Sequence, residues 1–81
     1  MKIKELNPKQ NDYLIKHKLV SKFKKAKELF ENNPHHPSLK LEILEPKNLK
    51  IYSFRIDIKY RVVFVIINNE AEVIAITNHY K

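Results

Sequence analysis

The chain has 81 residues, with 16 lysines and arginines against 9 acids, a formal net charge of +7, no cysteine and no glycine; this length allows one modest core and is expected to form one domain over residues 1–81. Without cysteine there is no disulfide, thiolate metal site or thiol nucleophile, and without glycine the P-loop and the dinucleotide fingerprint are excluded, so any phosphate chemistry must use side chains. The charge excess attracts polyanions and points to a nucleic-acid partner.

Met1-Lys2-Ile3-Lys4-Glu5 is charged and lacks the apolar stretch of a signal peptide. The longest apolar run, Val62 to Ile67, is too short to span a bilayer. With no disulfides to suit an oxidising compartment, the chain is expected in the cytoplasm. Lys2 to Leu6 is a candidate short strand. Asn7-Pro8 or Asn11 is placed to start a first helix, since asparagine caps and proline fits the first turn. Leu19, Val20, Phe23, Ala26, Leu29 and Phe30 recur at helical spacing and predict a second helix. Lys22, Lys24, Lys25, Lys27 and Glu28 lie between them as its solvated face. Asn32-Asn33-Pro34 ends it, because proline disfavours helix at itself and one residue earlier.

From Leu39 onward the period changes to two. Leu39, Leu41 and Ile43 alternate with Lys40 and Glu42, the pattern of a half-buried strand. After a turn at Glu45-Pro46-Lys47-Asn48, Tyr52, Phe54 and Ile56 alternate with Ser53, Arg55 and Asp57. Ile58-Lys59 turns the chain again. Tyr60 to Ile67 is nearly all apolar and predicts a central strand buried on both faces. Asn68-Asn69 suits a two-residue hairpin turn, and Ala71 to Thr77 is the return strand. Short connections imply an antiparallel meander. The predicted fold is α+β: two N-terminal helices packed on a twisted antiparallel sheet of about four strands.

Arg61 sits among apolar neighbours in the central strand. Burying a guanidinium is costly unless it is paired, so it either meets a carboxylate or lies where the sheet opens to a cleft. Asn78-His79-Tyr80-Lys81 follow the last strand, and a histidine and a tyrosine at a sheet end are candidate proton carriers. With Asn68-Asn69 as the turn, Arg61 is expected opposite Ile76, which puts Asn78 and Tyr80 on its face and turns His79 away. His35 and His36 are adjacent, a poor geometry for one metal ion, and are read as loop residues.

Two helices, then Asn-Pro-x-His-Pro-Ser-Leu (Asn33 to Leu39), Tyr-Ser-Phe-Arg-Ile (Tyr52 to Ile56), Tyr-Arg-Val-Val-Phe (Tyr60 to Phe64) and a C-terminal His-Tyr together resemble the RelE/ParE superfamily of bacterial toxins. The ending is most similar to the YoeB-type ribonucleases, which cut messenger RNA in the ribosomal decoding site. The resemblance implies that Glu42, Arg61, His79 and Tyr80 are catalytic, with Glu45 an alternative to Glu42 as the base. It matches Arg55 to a further arginine of the family. Lys22, Lys24 and Lys25 are expected to touch RNA backbone. Cleavage by the RNA's own 2′-hydroxyl would then use Glu42 as base, Arg61 against the phosphorane charge and His79 as acid, with Tyr80 orienting the phosphate and no metal or cofactor. An acidic antitoxin, the ribosome and mRNA are the partners the resemblance implies. A ParE-like gyrase inhibitor without catalysis, or an inert member of the fold, are its alternatives.

Overall fold

A computed structural model of the chain describes residues 1–78; His79, Tyr80 and Lys81 lie outside the described residues. In chain order the elements are β1 (Lys2–Ile3), α1 (Pro8–Lys16), α2 (Val20–Asn32), β2 (Glu42–Ile43), β3 (Tyr52–Arg55), β4 (Arg61–Ile67) and β5 (Glu70–Thr77). Short 3₁₀ turns occupy Pro37–Leu39 and Lys47–Leu49. The strands form one sheet in the order β1-β5-β4-β3-β2. The expected antiparallel meander is present in β2 to β5, and β1 adds a fifth strand, parallel to β5. The sheet is therefore mixed rather than purely antiparallel.

Helix α1 starts where the sequence predicts it. Asn7 Oδ1 accepts the Gln10 N–H at 2.7 Å, Gln10 Oε1 accepts the Asn7 N–H at 3.1 Å, and Pro8 takes the first helical position. Gln10 Nε2 also donates to the Val73 carbonyl at 2.9 Å and ties the helix to β5. Helix α2 buries Phe23, Ala26 and Phe30, and Leu19 is buried just before it. This single face lies on the sheet. Phe30 stacks on Phe54 with ring centroids 4.9 Å apart and meets the edge of Phe64 at 5.2 Å. Glu31 Oε2 accepts the Ile3 N–H at 2.9 Å, so α2 also covers the outer edge of β1.

With no glycine available, the left-handed positions fall to other residues: Lys18, Lys40, Lys50, Asn68 and Asn69 all have φ between 48° and 64°. The two asparagines form the β4–β5 turn, as their tolerance of positive φ predicts.

Two expectations are corrected. Below Val63 the β4–β5 register slips by one, so that Val63 pairs with Ala75 but Phe64 with Val73, and Ile74 is the extra residue. Arg61 therefore faces Thr77, not Ile76. The bulge reconciles two frames: Ala71 and Val73 face the core in one, and Ile76, opposite the buried Val62, packs against it in the other. It leaves Ile74 48% exposed. Nor is β4 buried on both faces. Val62 and Phe64 are buried beneath the helices, Val63 and Val65 on the other face are half-buried, and Ile66 and Ile67 are exposed.

Candidate active site

The polar face of the sheet lies away from the helices. Cross-strand partners share a face, so Glu42, Ser53, Val63 and Ala75 form one row across it, and Arg55, Arg61 and Thr77 the next. The sequence singles out Glu42, Arg55 and Arg61 one by one and marks Ser53 only as part of an alternating pattern. The register brings them together.

Arg61 is 6% exposed. Its Nε donates to Ser53 Oγ at 3.1 Å, and its Nη2 donates to the same oxygen at 2.9 Å and to the Lys40 carbonyl at 2.8 Å. These bonds offset part of the cost of burying the guanidinium. The side chain also lines a surface depression of about 300 Å³ with Arg55, Ile58, Lys59 and Asn78. The guanidinium is thus both held by polar partners and set at the border of a hollow.

Arg55 stands directly across the strand pair from Arg61. It also lines a second depression, of about 310 Å³, whose walls include Lys22, Lys25 and Asp57. Arg55 thus borders both hollows at the end of the sheet. Lys24 is not part of either; that side chain borders a groove between α1 and α2 with Lys27, Ile15 and Val20. The lysine set expected to touch RNA is therefore split, with Lys22 and Lys25 beside Arg55 and Lys24 elsewhere.

Asp57 braces the β3–β4 turn that presents both arginines. Its Oδ1 accepts the N–H groups of Lys59 and Tyr60, each at 2.8 Å, and its Oδ2 takes Lys22 Nζ at 3.1 Å. Burial acts to raise this carboxyl, but the two backbone N–H groups and the Lys22 ammonium outweigh it and hold the pKa below the ordinary value. Next to Arg61, the Tyr60 hydroxyl lies 3.3 Å from His17 Nδ1, and the His17 ring packs on Tyr13 at 4.2 Å. This cluster anchors the start of β4 to α1.

Glu42 is exposed on β2, directly across from Ser53. Ser53 therefore stands between Glu42 and Arg61. Glu45 lies past the end of β2, next to Pro46. His79 and Tyr80, the expected acid and orienting residue, lie outside the described residues. His36 Nδ1 accepts the Ser38 N–H at 3.1 Å and caps the Pro37–Leu39 turn, in keeping with a loop role. Among the described residues no group of three or more histidines and carboxylates is placed to hold a metal ion, and no helix is long and apolar enough to cross a membrane.

Sequence reasoning did not single out Ser53, the Lys40 carbonyl or Asp57 as parts of this site. Asp57 carried a signal, since an aspartate two residues before a turn's end commonly caps it. Ser53 carried none beyond its alternation.

No protein-family model and no curated protein sequence matches the chain. Solved structures do. A chain of the YoeB-YefM complex from Staphylococcus aureus superimposes with a TM-score of 0.68 at 22% identity, covering 91% of this chain and 92% of that one. A chain of the heterotetrameric YoeB-YefM toxin-antitoxin complex from Staphylococcus aureus gives a TM-score of 0.64 at 24% identity, with coverage of 91% and 92%. At this identity the likeness establishes a shared fold, two helices on one side of a five-stranded sheet.

Proposed function

We propose that the protein is a single-domain, YoeB-like toxin of the RelE/ParE superfamily that cuts messenger RNA on the ribosome in the cytoplasm and is held in check by an acidic antitoxin. The observation that carries this reading is the cross-strand pair Arg55 and Arg61, which lines one open depression together with Lys59. A phosphate entering there meets two guanidinium groups and an ammonium at once. Arginine's planar fork suits a phosphoryl group better than lysine's point charge does. The shared fold with chains of toxin–antitoxin complexes supports the same reading, and a net charge of +7 suits an acidic partner.

In this mechanism Glu42 takes the proton of an RNA 2′-hydroxyl. The freed oxygen attacks the adjacent phosphorus, and Arg61 balances the charge that builds on the phosphoryl oxygens. The bond to the 5′-oxygen breaks as an acid protonates it, leaving a 2′,3′-cyclic phosphate and a 5′-hydroxyl. The resemblance implies His79 as the acid and Tyr80 as the residue that orients the phosphate. Arg55, Lys22 and Lys25 hold RNA backbone on either side, without reading sequence.

The test is message cleavage in a reconstituted translation reaction. Wild type is expected to yield cyclic-phosphate ends. Arg61→Ala should lower the rate by about 10²–10³-fold, and Glu42→Gln by about 10²-fold or more, with both variants folded by circular dichroism. Absence of cleavage by the wild type with ribosomes present overturns the nuclease reading. Inhibition of gyrase supercoiling in its place would assign the chain to the ParE-like class.

A further inference from the structure

From the geometry around Arg61 we infer that Ser53 is a positioning residue of the site: its hydroxyl, with the Lys40 carbonyl, forms a socket that fixes the plane of the Arg61 guanidinium. The inference rests on the nuclease reading above and adds to it a residue that touches neither substrate nor reacting atoms.

The socket holds Arg61 through three hydrogen bonds. Ser53 Oγ receives both N–H groups of one edge of the guanidinium, at 3.1 and 2.9 Å. Two donors converging on one acceptor set the rotation of the group about its last bond. The Lys40 carbonyl receives a further N–H of Nη2 at 2.8 Å and stops the side chain from sliding along the sheet. Ser53 is fully buried, so its hydroxyl is not exchanged for water, and the socket stays formed as substrate comes and goes.

The Lys40 peptide is aimed for this contact. Lys40 sits at φ 48°, ψ 50°, a left-handed conformation that residues other than glycine adopt at a cost. There it closes the Pro37–Leu39 turn through its N–H to the Pro37 carbonyl at 3.3 Å, while its own carbonyl meets Arg61. Ser53 is also the cross-strand partner of Glu42. One buried serine thus sets the orientation of the cation and stands on the strand that spaces it from the base. Phosphoryl chemistry depends on such alignment, and a misplacement of about 1 Å can cost about 10²-fold in rate.

Two readouts on the full chain test this. The first is the ¹⁵N-detected Arg61 Nε–H resonance, assigned by its loss in Arg61→Ala. The second is single-turnover cleavage of ribosome-bound message. For Ser53→Ala the Nε–H signal is expected to move and lose its protection from solvent exchange, and the cleavage rate to fall about 10–100-fold. Affinity for the ribosome should stay within about twofold, because Arg55, Lys22 and Lys25 are untouched. If the alanine variant does not fold, Ser53→Cys takes its place with the same expected slowing, since sulfur is a weak acceptor. A Ser53 variant that is folded and cleaves at the wild-type rate overturns the inference and leaves the nuclease reading standing. So does one that slows only through weakened ribosome affinity. A wild type that cleaves nothing overturns the nuclease reading, and this inference with it.

Discussion

Strand β4 has two faces that do different work. Toward the helices it presents Val62 and Phe64, both buried and packed with Phe30 and Phe54. Away from them it presents Arg61, set in polar bonds and bordering a hollow. Successive residues of one strand point to opposite sides, so the two roles alternate along seven residues without interfering. The apolar face supplies most of the stability. The polar face can then hold a guanidinium and an opposing Arg55, a pairing that opposes stability. Core and site are separable by mutation even where their residues are neighbours in sequence.

Predictions that break this separation come first. Phe30→Ala empties the centre of the aromatic cluster and should cost about 3–5 kcal/mol, a large part of the stability of a domain this small. Urea denaturation is the measurement, and cleavage should be lost only in proportion to unfolding. Glu42→Gln is the complement: exposed on a strand of two residues, it should change the unfolding free energy by less than about 0.5 kcal/mol while the nuclease reading demands the loss of activity.

A third prediction sharpens the boundary between the faces, where Asp57 ties the turn to α2. Its carboxyl is held below the ordinary value near 3.8. A group depressed in the folded state contributes stability that is fully present above its unfolded pKa and is lost as pH falls through the folded one. Thermal stability should therefore decline below about pH 4, and Asp57→Asn should flatten that part of the profile. An unchanged acid limb in the variant would remove Asp57 from the account. The smallest expected effect is at Lys50, left-handed at φ 57° after the Lys47–Leu49 turn. Lys50→Gly relieves that strain at the cost of a looser unfolded chain and should stabilise by up to about 1 kcal/mol, raising Tm by a few degrees.

Much of this was legible in the sequence, for local reasons. Asn7-Pro8, the Phe23–Phe30 spacing and the Asn68-Asn69 turn each depend on residues close in the chain, and each element lies where they indicate. Arg61 was legible because a charge inside an apolar strand is conspicuous. What was not legible depends on distant pairing. The bulge at Ile74 leaves the period of two intact on either side and changes only its phase, so the residue opposite Arg61 was misassigned by one. The expected strand around Leu41 shrank to Glu42–Ile43 because the Pro37–Leu39 turn takes its beginning. Ser53 looked like any solvent-facing serine until β3 and β4 were paired. The parts assigned to His79 and Tyr80 still rest on the sequence resemblance.

The parallel pairing of β1 with β5 has a consequence for synthesis. Lys4 and Glu72 meet across that edge although they are 68 positions apart. During translation β1 leaves the ribosome ahead of β5 and has no strand to join until β5 has been made. Helices α1 and α2 can form on their own timescale, but the sheet they rest on closes last, through its most distant contact. The order of emergence thus delays assembly of the Arg61 face, formed by β2 to β5, until β5 is released. A nascent chain would carry both helices and the basic residues of α2 well before it had a finished site.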